Sequence, residues 1–159
     1  MKLEGSCHCG KVTFTLEAPS PVPYMRCYCS ICRKVAGGGG YAINLGGDAR
    51  TMEIKGAAHI KVYETSPEAS TRSAQCGRRF CGHCGTALWH YDPRWPDLIH
   101  PFASAIDSEL PPPPASTHIM LGSKANWVEP AVGPDDETFD VYPNKSLSDW
   151  HKEHGFDED

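Results

Sequence analysis

Seven of the chain's eight cysteines fall into three tight groups, and this clustering constrains the fold more than any other feature. The groups are Cys7-x-Cys9, Cys27-x-Cys29-x2-Cys32 and Cys81-x2-Cys84, with Cys76 slightly apart. Gaps of one or two residues let thiolates from a single tight turn reach one ion, and zinc takes four such ligands in a tetrahedron. Gly10 and Gly85 directly follow two of the groups, where a knuckle turn commonly needs a residue without a Cβ. The opening residues, Met1 to Ser6, hold no apolar run of the signal-peptide kind. The expectation is a cytoplasmic protein with reduced thiols. Clustered cysteines there read as metal ligands, the competing reading being disulfides or buried free thiols.

Two groups of two make one four-thiolate site, and we pair Cys7 and Cys9 with Cys81 and Cys84. This ties the first strand to a hairpin about 70 residues later, the long closure from which a staple gains most. Four ligands fill the coordination sphere, so this site is expected to be structural. Cys27, Cys29 and Cys32 lie within six residues and can share a second ion. Three protein ligands plus an open position is the arrangement of a catalytic zinc. The alternative is a closed site whose fourth ligand is Cys76 or a histidine. Cys76 itself reads first as an ordinary strand cysteine. The expected cofactor is therefore zinc, two ions per chain.

A net charge of −5 argues against nucleic acid or an anionic membrane as a main partner. No run approaches the roughly 20 apolar residues of a membrane span. Strand signals dominate the rest. Residues 11–17 alternate, with Val12, Phe14 and Leu16 on one face. Further strands are expected at 40–45, 51–55, 60–65, 73–80, 86–91 and 118–122. The one convincing helix is 147–154, capped by Ser146 or Ser148, with Asp149 favouring its first turn. Residues 155–159 read as a frayed acidic tail. The fold class is all-β, a zinc-stapled sandwich or partly open barrel with a short C-terminal helix. It is expected as a β domain over 1–134 and an extension over 135–159.

Three motifs, in order and at plausible spacing, carry a family resemblance. Gly5-Ser6-Cys7-His8-Cys9-Gly10-Lys11-Val12-Thr13-Phe14 resembles the opening of the glutathione-dependent formaldehyde-activating enzyme family, which also contains centromere protein V. Cys27-Tyr28-Cys29-Ser30-Ile31-Cys32-Arg33-Lys34 with Ala36-Gly37 resembles its second motif, and Arg79-Phe80-Cys81-Gly82-His83-Cys84-Gly85-Thr86-Ala87-Leu88 its third. Ala105-Ile106-Asp107 and residues 118–127 are similar to its distal segments. The resemblance implies an Mss4-like β architecture. It implies a structural zinc on Cys7, Cys9, Cys81 and Cys84, and a second zinc on Cys27, Cys29 and Cys32 next to bound glutathione. The implied activity is condensation of glutathione with formaldehyde to S-(hydroxymethyl)glutathione, a carbon–sulfur lyase reaction run in reverse. Tyr28 stands where many members have histidine.

The residues allow this chemistry. A thiol, with a pKa near 8.5 in water, is deprotonated at an open zinc position, and can then attack a neighbouring carbonyl. The partners expected are thus a small-molecule thiol and an electrophile. Glutathione carries two carboxylates, so Arg33, Lys34 and the amides of Gly37 and Gly38 in the 37–40 glycine run are candidate contacts. Their bland alternative is a solvated surface and a plain loop. Arg78 and Arg79 read first as a strand-end surface pair. His8 and His83 point outward or support the knuckles, and His100 is the best candidate for a polar pocket lining. Trp89 and Trp127 read as core, and Tyr28 could aim its hydroxyl into a pocket. Two other functions compete: a non-catalytic protein-binding module with both zincs structural, and an enzyme that shares the zinc but uses another substrate.

Overall fold

The structure, a computed structural model, describes residues 1–65 and 77–156. Its strands are β1 (Lys2–Ser6), β2 (Thr13–Glu17), β3 (Tyr24–Cys27), β4 (Ala42–Asn44), β5 (Gly47–Asp48), β6 (Glu53–Lys55), β7 (Ile60–Glu64), β8 (Gly77–Cys81), β9 (Ala87–Tyr91), β10 (Leu98–Pro101), β11 (Ser116–Ile119) and β12 (Glu137–Thr138). Two helices join them, α1 (Ser30–Ala36) and α2 (Leu147–His154). The strands form three sheets, ordered β1-β2-β6, β5-β10-β9-β8-β7 and β12-β11-β3-β4. The fold is mostly β, as expected, and no barrel closes among the described residues.

The alternation in β2 does what the sequence predicts. Phe14 and Leu16 are buried, and Leu16 faces Leu3 of β1 across the antiparallel pair. Val12, Leu45, Leu88, Trp89 and Ile99 complete this main core, and Trp89 meets Phe14 in a T-shaped contact at 5.0 Å between ring centres. Cys7 and Cys81 are part of the same cluster. A second core gathers Ala42, Phe102 and Ile119 around Cys27 and Cys32. Each cysteine group is thus rooted in an apolar cluster.

The third sheet is unusual in its connectivity. β11 runs parallel to both β3 and β12, while β3 and β4 are antiparallel. The stretch after residue 134 adds β12 to this sheet and α2 beside it. α2 occupies the expected residues and carries a capping box, in which the Ser146 hydroxyl accepts from the Asp149 amide. Trp150 of α2 is buried with Val22 and Ala115. Gly155 ends the helix in the left-handed conformation, φ 74°, and Phe156 stacks near Trp150. The tail expected to fray over 155–159 thus starts with a helix cap at Gly155 and Phe156, and residues 157–159 lie outside the described residues.

Several expectations are corrected. Helix α1 was not expected, nor were β1, β3 and β10. The strand expected at 118–122 runs instead over Ser116–Ile119 and is followed by a short 3-10 turn, Leu121–Ser123. Of the strand expected at 73–80, residues 73–76 lie outside the described residues, as does Cys76 and its expected role. Trp127, read as core, is 61% exposed, whereas Trp89 is buried. No helix among the described residues is long and apolar enough to cross a membrane.

Candidate metal centre

The first cysteine group closes a turn after β1. The Gly10 amide donates to the Cys7 carbonyl at 3.0 Å, and the Val12 amide to the Cys7 sulfur at 3.2 Å. The end of β8 repeats this arrangement: the Gly85 amide donates to the Cys81 carbonyl at 2.8 Å. Gly10 and Gly85 sit at φ 78° and 79°, the left-handed region that a Cβ disfavours. This meets the expectation for both knuckles.

The two turns bring the sulfurs of Cys7, Cys9, Cys81 and Cys84 within 4.8 Å of one another. Cys7 and Cys9 sulfurs are 3.5 Å apart, Cys9 and Cys81 sulfurs 3.8 Å. A tetrahedron with zinc–sulfur bonds of about 2.3 Å has edges of roughly 3.8 Å, whereas a disulfide needs about 2.05 Å. The described cysteines are all free thiols. The donor set therefore fits zinc. Thr86 laces the two turns together, accepting from the His8 amide at 3.1 Å and meeting the Cys84 sulfur at 3.2 Å. Its hydroxyl holds the Cys84 thiol down, to about 5. His8 and His83 are exposed.

The second group is assembled by a strand end and a helix start. β3 delivers Cys27. Cys29 is the N-cap of α1, and its sulfur accepts from the Cys32 amide at 3.3 Å. That one bond starts the helix and turns both side chains the same way. The three sulfurs lie within 4.8 Å of one another, again a spacing that fits zinc. Among the described residues no fourth histidine, cysteine or carboxylate joins them. Cys27 and Cys32 are buried and Cys29 is half-buried. Hydrogen bonds from Cys27 and Cys32 hold the Cys29 thiol far down, at about 2, while hydrogen bonding with Cys29 and Cys32 pushes the Cys27 thiol up.

Two neighbours of this group were not read as such. Arg78, expected at the surface, is 3% exposed, and its Nη1 donates to the Cys32 sulfur at 3.2 Å. Asn44 is buried at the end of β4 with its amide nitrogen 3.9 Å from the same sulfur. A polar residue closing an otherwise apolar strand was the available signal for Asn44. Arg79 behaves differently: it donates to the Gly77 carbonyl and lies over the Tyr91 ring.

Tyr28 does not open toward a pocket. It is fully buried between the two ligand positions, and its hydroxyl lies 2.9 Å from His118 Nδ1. His118 Nε2 in turn lies 2.9 Å from Asp136 Oδ2. With Nε2–H donating to the carboxylate, Nδ1 accepts from the tyrosine. His118 and Asp136 were not picked out singly in the sequence. His100 donates from Nδ1 to the Leu45 carbonyl at 3.0 Å and stacks on His90 at 4.6 Å.

The candidate thiol-substrate contacts flank α1. Arg33 is half-buried, with its Nε buried and unpartnered among the described residues, and Lys34 is exposed. Gly37 donates to the Arg33 carbonyl and Gly40 to the Gly37 carbonyl. Of the four glycine amides, those of Gly37 and Gly40 are therefore engaged within the turn. Gly38 is exposed.

Sheets and donor sets together define a mostly-β protein whose two sulfur groups could each hold a metal ion. The sequence profile of a family described as glutathione-dependent formaldehyde-activating enzyme matches residues 2–123. A Halomonas elongata protein, provisionally named a glutathione-dependent formaldehyde-activating enzyme, is 53% identical over 158 residues, 99% of each chain. The crystal structure of a Rhodobacter sphaeroides protein superposes with a TM-score of 0.55 at 25% identity, over 70% of this chain and 92% of that one. The chain belongs to the glutathione-dependent formaldehyde-activating enzyme family.

Proposed function

We propose that this protein joins glutathione to formaldehyde, or to a similar small electrophile, in the sense opposite to a carbon–sulfur lyase. The observation that carries the reading is the second cysteine group: three converging sulfurs, no fourth ligand among the described residues, and a half-buried Cys29. Cys7, Cys9, Cys81 and Cys84 would hold a structural zinc. Cys27, Cys29 and Cys32 would hold a second one, whose chemistry is to lower the pKa of a thiol bound to it.

The atoms balance without an oxidant. The glutathione sulfur bonds to the carbonyl carbon, the carbon–oxygen double bond becomes single, and the thiol proton ends on oxygen. The residues near the group then have positional tasks. Arg33 and Lys34, in the last turn of α1, supply positive charge for the substrate carboxylates. Gly38, with an exposed backbone, offers an amide to the same groups. The free thiols throughout the described chain fit a reducing compartment, and we place the protein in the cytoplasm.

Isothermal titration of the zinc-loaded protein with glutathione tests binding, and two-dimensional exchange NMR with added formaldehyde tests turnover. Saturable binding and exchange faster than in the protein-free mixture are expected. Exchange at the protein-free rate refutes the formaldehyde activity.

A further inference from the structure

Arg78 carries a permanent charge into the interior beside the second cysteine group. Its residue is 3% exposed, and the Cys32 sulfur, 3.2 Å from Nη1, is its hydrogen-bond partner. Among the described residues no carboxylate is ion-paired with it. A buried charge without a counter-charge is costly, so a guanidinium placed here requires negative charge nearby. Among the described residues the Cys32 sulfur is the one such group in contact with it, and the Cys27 and Cys29 sulfurs lie within 4.8 Å of that sulfur.

Counting charge shows what this placement does. Three thiolates and a divalent zinc sum to −1, and the guanidinium brings the neighbourhood to zero. A thiolate arriving as fourth ligand would make the total −2 without Arg78 and −1 with it. A neutral fourth ligand adds no charge and gains nothing comparable. Because this site is water-poor, with Cys27, Cys32 and Arg78 all buried, the difference is only weakly screened.

We propose that Arg78 is the positioning residue that tunes the second cysteine group to accept a substrate thiol as its anion. It acts through the Cys32 sulfur and selects thiolates over neutral ligands, whatever the rest of the thiol looks like. This rests on the reading of that group as a metal site with an open position.

Full-length protein loaded with cobalt(II) provides the test, because sulfur-to-cobalt charge transfer reports ligands directly. Wild type, Arg78→Met, Arg78→Lys and Arg78→Gln are each titrated with glutathione, with 2-mercaptoethanol and with imidazole. Arg78→Met is expected to weaken both thiols about 10- to 100-fold, the range for a hydrogen bond to a charged partner, and to leave imidazole unchanged. Arg78→Lys should recover part of the thiol affinity. Thiol binding by Arg78→Met at wild-type strength overturns the proposal, and so does equal loss of thiols and imidazole. If Arg78→Met does not fold, the charged Lys variant must bind thiols more tightly than the neutral Gln variant, and equality overturns the proposal. Wild-type protein that binds imidazole or thiols not at all refutes the open metal site itself, a failure distinct from that of Arg78.

Discussion

The Tyr28 hydroxyl and the His118 Nδ1 atom are 2.9 Å apart in a place where both side chains are fully buried. Tyr28 separates Cys27 from Cys29, so this bond ties the peptide between two ligand positions to β11. Removing the hydroxyl leaves a buried ring nitrogen without its partner. Tyr28→Phe is expected to cost about 1–3 kcal/mol in urea denaturation of the zinc-loaded protein. Metal content per chain should be unchanged.

Asp136 holds the far end of the same chain. Burial pushes its carboxyl up, but the amides of Ser116 and Gly133 and the His118 ring outweigh that and hold it below the usual carboxylate range. Its contribution to stability is therefore full above the unfolded value of about 3.9, and fades as pH falls through the lower, folded value. The melting-temperature gap between wild type and Asp136→Asn should be level above about pH 5 and narrow on acidification. A gap that widens in acid contradicts this account.

The two cysteine groups should answer differently to loss of one sulfur. Structural zinc contributes roughly 10–16 kcal/mol of folding energy in small domains, comparable with the whole stability of a domain, about 5–15 kcal/mol. Cys81→Ser is expected to abolish the folded far- and near-ultraviolet circular dichroism. Cys29→Ser should keep both spectra and lose activity. Equal unfolding by the two variants contradicts the division into a staple and a working site.

Metal removal provides a second view of that division. Elemental analysis of purified protein is expected to give two zinc ions per chain. A graded chelator should withdraw one of them first, with the fold intact, since three ligands hold an ion less firmly than four. Release of both ions in one step together with unfolding would contradict it.

The α2 segment should melt with the rest. Trp150 is 2% exposed and packs on Val22 and Ala115. Trp150→Ala is expected to cost about 3–5 kcal/mol and to lower a single thermal transition. A separate early transition, with the main one unmoved, would mark residues 135–159 as an independent unit.

Features written in neighbouring residues could be read directly. The alternation of Thr13–Glu17 and the Ser146–Asp149 start of α2 are local, and both appear where expected. α1 was hidden because its N-cap is a cysteine, Cys29, rather than the Ser, Thr, Asp or Asn that usually marks a helix start. β3 directly follows Pro23, β10 ends in Pro101, and both are four residues long, too short to show a period. The sulfur groups were legible because their spacing is local. Arg78 was not, because its approach to Cys32 depends on how β8 is placed against helix α1, 46 residues earlier. His118 and Asp136 share that problem, since their pairing with each other and with Tyr28 joins residues distant in sequence.

The parallel pairing of β3 with β11 has a consequence for synthesis on the ribosome. Residues 27–32 emerge early and, being close together, can capture an ion as soon as they are exposed. The strand that steadies them arrives some 90 residues later, with His118. A nascent chain would thus carry a loosely mounted metal through most of its translation, and ribosome-bound truncations ending before residue 116 should exchange that ion with solution far faster than the finished protein does.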